Sequence, residues 1–401
     1  MRKIQFTAVF FLGMCLLATG APAKDINVAF MVPLTGGTAF YGKIMREVGQ
    51  GVVNDINKEG IKGFGKINVT VYDDGSDPAV VARAFERVAS QGVNFIWGGV
   101  SSSVEEMMVT KANELKIPTS LTNEHTDKAV PCGNKYAITP TMSTIEIGAI
   151  CAKYFKEKGV KTYAIIGADY VYPRTWDRAL TMFLKGTGIK KVYENFHSLS
   201  KVDYSADIAK LKELKPDAVV RPFGGAGEYV IVKQMKDEGY WPHVYIVGPE
   251  MGGYHVELDQ LGEKYLPGVT SVTTQNPENP RWIQFAKTHR ERFGVWPTWL
   301  SHGMHDTLWV FKKAVEKAGT LSPEILAKAL REVSYNGIMA YPCGPFQDFG
   351  YVQKGSLNML EFVKGSPPWT DKIGITQKIV SSMEGVPQCY EKIEEMLKKA
   401  E

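Results

Sequence analysis

Residues 95–106 read Phe95-Ile96-Trp97-Gly98-Gly99-Val100-Ser101-Ser102-Ser103-Val104-Glu105-Glu106. An apolar strand runs through two glycines into a run of hydroxyls and then into a helix. Ser101 stands at the N-cap position, where the first free backbone N–H groups and the positive end of the helix dipole attract an anion. No phosphate-loop lysine follows the glycines, so a carboxylate suits the site better than a nucleotide. The same serines also serve as an ordinary helix cap, a role this residue type fills commonly.

Working outward, the unit repeats. Strand-like runs at Ile26–Val32, Ile67–Tyr72, Val93–Trp97 and Ile117–Leu121 alternate with helical runs at Ala39–Lys58, Pro78–Ser90 and Val104–Leu115. This alternation is the pattern of βαβ units and a parallel sheet. It starts afresh after Ser143 and continues to a strand at Val244–Val247, which predicts a second doubly wound unit. Helices dominate from Asn279. Residues 344–350 with Leu357–Val363 read as a hairpin, and the tail after Lys364 reads as a surface wrap ending in a short charged helix at Tyr390–Lys399.

Met1-Arg2-Lys3, the apolar run Phe6–Ala18 and Ala21-Pro22-Ala23 have the charge, core and small-residue end of a secretory signal, with cleavage expected after Ala23. Met14 before Cys15 makes a poor lipoprotein box, so plain export to the periplasm or exterior is expected. Cleavage leaves 401 − 23 = 378 residues, enough for two domains at roughly 100–200 residues each. The formal charge of +4 falls to 4 − 2 = +2 without Arg2 and Lys3, too even to favour nucleic acid.

Four cysteines remain, Cys132, Cys151, Cys343 and Cys389. In an oxidising compartment they are expected as disulfides, and short loop closure favours Cys132 with Cys151 and Cys343 with Cys389 among the three connectivities. His302, His305 and Asp306 share one helical face at metal-like spacing, but beside Trp309 and Val310 they read as packing and capping groups. Gly224-Gly225-Ala226-Gly227 lacks dinucleotide spacing. There is no GxSxG elbow and no HExxH, so neither an enzyme nor a cofactor or metal site is expected.

What remains is a set of polar and aromatic residues at the C-terminal ends of predicted strands, where open α/β sheets hold ligands. They are Tyr41, Ser101, Ser102, Ser120, Thr122, Asn123, Tyr172, Phe223 and Glu250. The ordered series Val32-Pro33-Leu34-Thr35-Gly36, Tyr72-Asp73-Asp74-Gly75-Ser76-Asp77-Pro78, Gly99-Val100-Ser101-Ser102-Ser103, Asp169-Tyr170-Val171-Tyr172, Pro216-Asp217-Ala218-Val219 and Gly248-Pro249-Glu250 resembles the solute-binding proteins of ABC importers. The branch it resembles has the type I periplasmic-binding fold and includes the leucine-isoleucine-valine-binding proteins. The resemblance covers residues 25–365.

That resemblance implies two doubly wound parallel-sheet lobes joined by a multi-stranded hinge. The N-terminal lobe would hold 24–142 and 274–342, and the C-terminal lobe 143–273 and 343–365, with a tail at 366–401. It further implies a monomer whose partners are a small ligand and the membrane subunits of the importer. Ser101 with Thr122 or Asn123 would take a carboxylate, Glu250 an ammonium, and Tyr41, Tyr172 and Phe223 the side chain. Glu124, His125 and Arg221 stand where the family has small or aromatic residues. Ions there favour a polar or acidic ligand over an aliphatic one. The expected ligand is nevertheless a small amino acid, aliphatic or branched-chain; the alternative is an aromatic or other carboxylate, or a small amide, for transport or sensing.

Overall fold

The computed structural model describes residues 23–122, 130–223, 225–251, 255–366 and 374–400, with the backbone alone at Glu250 and His255. Residues 1–22 of the expected signal segment 1–23, and Asn123, Glu124 and His125, lie outside the described residues. Among those described, no helix is long and apolar enough to cross a membrane.

The first sheet contains β1 (Ile26–Val32), β2 (Ile67–Asp73), β3 (Phe95–Gly98), β4 (Thr119–Leu121) and β5 (Ala137–Ile138), in the order β2-β1-β3-β4-β5. All its pairings are parallel. The crossovers α1 (Ala39–Glu59), α2 (Pro78–Ser90) and α3 (Ser102–Leu115) connect them. Helices on both faces explain why β1 and β3 are nearly continuous apolar runs instead of alternating ones. Phe30 meets Trp97 at 4.5 Å and Phe95 stacks on Phe311 at 4.1 Å, which seals the face under α1 and α10 (Ser301–Ala318).

The second sheet has seven strands in the order β12-β11-β10-β9-β8-β6-β7. Its parallel part is β6 (Thr162–Ala168), β7 (Lys190–His197), β8 (Ala218–Arg221), β9 (Val244–Val247) and β10 (Val269–Thr273). The helices α4 (Thr144–Glu157), α5 (Val171–Leu184), α6 (Ser205–Leu214), α7 (Glu228–Asp237) and α8 (His255–Tyr265) lead into or connect these strands. The helices α9 (Pro280–Phe293), α10 and α11 (Pro323–Glu332) follow, and α1 packs on α10. The architecture is α/β with two parallel-sheet regions, as the residue pattern predicts.

The C-terminal third differs from the sequence reading. The hairpin is β11 (Gly355–Lys364) with β12 (Ile375–Gly385), antiparallel to each other and added to the edge of the second sheet through β10. So the tail supplies an edge strand before it ends in α12 (Tyr390–Ala400). An edge strand has one wet face. Its polar residues Gln377, Lys378, Ser381 and Ser382 hide the pattern that a central parallel strand shows.

Residues 343–352 stay with the first sheet: Thr139 bridges Tyr351 and Asn134 Nδ2 donates to Phe349 O. The chain therefore passes between the sheets at 139–143, at 274–279 and at 353–354. Cys132 bonds to Cys389 across a separation of 257 residues, while Cys151 and Cys343 are buried free thiols. This corrects both expected pairings. Loop-closure entropy grows by only about 0.6 kcal/mol per doubling of length, so the tertiary approach of the tail overrides it.

Glu146 sits at the first crossing, capped into α4 by accepting from Ser143 N at 3.1 Å and from Ser143 Oγ. Burial pushes its carboxyl up to about 7 from 4.5, against those hydrogen bonds. The folded state thus holds a proton that the unfolded chain releases, and stability should fall as pH rises from 4.5 to about 7. Urea midpoints at pH 5 and pH 8 check this; Glu146→Gln should flatten the difference.

Candidate ligand cleft between the lobes

In each sheet the strand order reverses once, and loops on either side of that point part to leave a crevice. The reversal falls between β1 and β3 in the first sheet, and between β6 and β8 in the second. The loops flanking these points carry Thr35–Tyr41, Gly99–Ser101, Asp169–Tyr172 and Pro222–Gly227. Four of the nine expected site residues, Tyr41, Ser101, Tyr172 and Phe223, lie on these segments for that topological reason.

Gly98 lies opposite Met31, and a Cβ there would sit 1.8 Å from Met31 O, so only glycine lets β3 end this close to β1. Gly99 at φ +87° then turns the chain into α3, with Glu105 packed where its Cβ would be. Ser101 has N-cap backbone geometry, yet its side chain caps nothing. Its Oγ is buried and has no hydrogen-bond partner among the described residues. Such a hydroxyl costs about 1–3 kcal/mol unless something satisfies it. Ser102 opens the helix, half-buried.

The neighbouring hydroxyls are already engaged. Ser120 Oγ donates to Leu121 O at 3.0 Å and Thr122 Oγ1 donates to Gly99 O, both in buried positions. In this conformation Thr122 fastens the end of β4 to the serine turn, Ser120 bonds within its own strand, and among the described residues Ser101 alone of the three is spare. The Pro33–Gly37 loop is fixed by Asp73, which accepts from Leu34 N at 2.9 Å and from Thr35 Oγ1 at 2.7 Å. Burial alone would raise the Asp73 carboxyl; bonds from Thr35, Gly75 and Leu34 hold it below its ordinary value. Its neighbour Asp74 points inward and burial pushes it up to about 6.

Across the cleft, Tyr172 is buried at the start of α5 and Phe223 is half-buried after β8. Tyr170 joins them, with ring centroids 6.4 Å from Tyr172 and 6.0 Å from Phe223. Glu250 lies on the 3-10 turn Pro249–Met251 after β9. Arg221, expected as a cation beside the pocket, is fully buried inside the second lobe. Its guanidinium donates to Ile166 O at 3.2 Å, Tyr204 OH at 2.7 Å and His197 Nε2 at 3.1 Å, and lies 3.9 Å from Glu228. His197 Nδ1 is 2.8 Å from Ser198 O, which makes Nδ1 the donor and leaves Nε2 to accept from Arg221. Burial holds His197 below its ordinary value, assisted by Arg221 and Lys201.

Sequence reasoning missed Phe40, Trp299, Tyr229, Val256 and Glu257. Phe40, Tyr41 and Trp299 from the first lobe meet Tyr229, Val256 and Glu257 from the second around a small crevice. Trp299 lies edge-on to Tyr41 at 6.1 Å. Glu257 is buried in the first turn of α8. Position after the C-terminal end of a strand was the only available signal for Tyr229 and Glu257, and Trp299 comes from outside the alternating pattern altogether. A wider groove among α5, β7 and α12 lies on the outer face, lined by Arg178, Lys185 and Leu397 and none of the expected site residues.

The remaining candidates are structural. Asp306 accepts from Ile338 N and Met339 N at 3.0 Å and contacts His305 at 2.7 Å, while His302 bonds Thr274. Among the described residues the one metal-like cluster is Cys132, Cys389 and Glu391, whose two sulfurs are joined to each other.

A family described as periplasmic binding protein matches residues 25–359. The leucine-, isoleucine-, valine-, threonine- and alanine-binding protein of Pseudomonas aeruginosa is 25% identical over 352 residues, 85% of this chain and 89% of that one. A leucine binding protein from Thermotoga maritima superposes with a TM-score of 0.72 at 21% identity, covering 89% of this chain and 98% of the other. A solute binding protein of an ABC transporter from Rhodopseudomonas palustris, in complex with 3,4-dihydroxybenzoic acid, gives 0.79 at 19%, covering 92% and 99%. This chain belongs to the periplasmic binding protein family, and its fold is that of these solved binding proteins.

Proposed function

We propose that the mature protein is an exported, non-catalytic, monomeric receptor. It captures a small amino acid between the lobes, closes, and presents the closed form to the membrane subunits of an ABC importer. The buried, unpartnered Ser101 hydroxyl at the N-terminus of α3 carries this reading. A carboxylate there satisfies the hydroxyl and meets the free N–H groups of the helix. Glu250, on the opposite lobe, takes the ammonium.

A ligand touching both lobes binds the closed state more tightly than the open one, which is the condition for ligand-driven closure. Removal of residues 1–23 belongs to the same reading.

The second reading, an aromatic carboxylate, is favoured by the rings Tyr41, Tyr170, Tyr172 and Phe223 along the walls. The Rhodopseudomonas palustris neighbour holds such a ligand. Thermal shift with L-leucine, its deaminated analogue 4-methylpentanoate and benzoate separates the two. Ser101→Ala should weaken every carboxylate by about 1–2 kcal/mol. Glu250→Gln should weaken leucine by about 1.5–3 kcal/mol and leave 4-methylpentanoate unchanged. Equal losses for both ligands would count against the ammonium role; binding of benzoate alone would replace the amino acid.

A further inference from the structure

Where the C-terminal tail meets the first lobe, three groups able to ligate a metal converge, and none of the expected ligand residues is among them. The sulfurs of Cys132 and Cys389 and a carboxylate oxygen of Glu391 all lie within 4.8 Å of one another. Glu391 Oε2 accepts from Cys132 N at 2.7 Å, which holds the carboxylate against the sulfur pair. Joined as a disulfide, the sulfurs carry no charge and ligate nothing, since the thiolate is the metal ligand.

The surroundings favour the opening of this bond and keep its two sulfurs together afterwards. Cys132 is exposed while Cys389 is buried, so an incoming thiolate reaches Cys132 first and Cys389 is the leaving group. Cys389 O accepts from Lys392 N and Ile393 N at 3.1 Å, which places this residue at the N-terminus of α12. There the helix dipole favours a thiolate, and a stabilised thiolate leaves faster. The tail is also fastened without the covalent bond. Tyr390 N donates to Val130 O at 3.0 Å, Arg178 pairs with Glu394 at 3.1 Å, and Ile393 and Leu397 are buried against Ile145 and Ala179.

We propose that reduction converts this disulfide into a binding site for a thiolate-seeking divalent cation such as Zn²⁺ or Cd²⁺, with Cys132 Sγ, Cys389 Sγ and one Glu391 oxygen as its protein ligands. A dithiol supplies two electrons and two protons: its own sulfurs join, the Cys132–Cys389 bond breaks, and two thiols form. Binding of the cation then releases the two thiol protons to solvent. Two thiolates and a carboxylate at one point repel one another, and a divalent cation relieves that repulsion. The donor set suits Zn²⁺, which takes thiolate at about 2.3 Å and carboxylate at about 2.0–2.2 Å, with the exposed side left to water. Oxygen-seeking Mg²⁺ and Ca²⁺ are poorly served by two sulfurs.

Equilibrium dialysis of the mature protein against Cd²⁺ tests this, with the protein either oxidised or reduced with dithiothreitol and desalted without oxygen. The reduced protein should take up about one Cd²⁺ per chain with a thiolate-to-metal absorption band, and the oxidised protein none at the same concentration. Cys132→Ser should abolish uptake in both states; it keeps the buried thiols Cys151 and Cys343 and so controls for them. Glu391→Gln retains both sulfurs and should weaken binding by about tenfold, the loss of one ligand. Absence of uptake by the reduced protein, equal uptake by the oxidised protein or by Cys132→Ser, or unchanged affinity in Glu391→Gln overturns the site. The amino-acid receptor reading stands or falls separately, on the ligands of the cleft.

Discussion

Arg221→Met is expected to destabilise the protein by about 3–5 kcal/mol, the cost of breaking a buried ion pair by removing one partner. The arginine is fully buried, and its five contacts are Ile166 O, Tyr204 OH, His197, Gly227 O and Glu228. The substitution takes the cation from beside Glu228, itself 5% exposed, and removes the donor that Tyr204 and His197 face. Urea unfolding measures the loss. The double variant Arg221→Met with Glu228→Gln should recover part of it, because a fully neutral cluster avoids an uncompensated buried charge. Full additivity of the two losses would show that the pair is not coupled. Gly227 O and the Phe223 loop hang from the same guanidinium, so ligand affinity should fall with stability.

Reduction of the disulfide is expected to have the next largest effect, about 2–5 kcal/mol. The Cys132–Cys389 bond closes a loop of 257 residues, and long loops gain most in the chain-entropy account. It also ties three parts of the molecule together. The chain leaves β12 at the edge of the second sheet and meets the first lobe, where Tyr390 N donates to Val130 O at 3.0 Å and Cys132 N to Glu391 Oε2 at 2.7 Å. It then returns to the second lobe, burying Ile393 and Leu397 against Ile145 and Ala179. Unfolding with and without dithiothreitol should differ by the stated amount in wild type and by nothing in Cys132→Ser. Cys151 and Cys343 do not confuse the measurement, since burial pushes both thiols well above the usual thiol range and leaves them inert. An unchanged midpoint on reduction would mean that α12 holds the tail by packing alone.

The strand ends were legible because burial on both faces forces apolar runs and because helices need caps and glycine stops. That is why Ser101, Phe223 and Glu250 are found near the strand ends from the residues alone. The direction of each side chain was not legible. Ser120 and Thr122 read as ligand donors, but Ser120 bonds the carbonyl of Leu121 in its own strand, and the β3–β4 register brings Gly99 O to Thr122. Arg221 read as a pocket cation because it ends a strand. Side chains alternate along β8, and its own points into the core beneath the loop.

The sequence by itself determined the α/β class, the two parallel-sheet regions and the strand ends at which a ligand would sit, since hydrophobic period and turn chemistry are local properties. The partners of groups distant in the chain were decided only by tertiary structure. Cys132 finds Cys389 across 257 residues, β12 finds the edge of a sheet begun about 200 residues earlier, and Glu257 meets Tyr41 and Trp299 in one crevice. The entropic cost of closing such loops grows so slowly with length that sequence distance carries almost no information about which groups meet. The packing of the two lobes makes that choice.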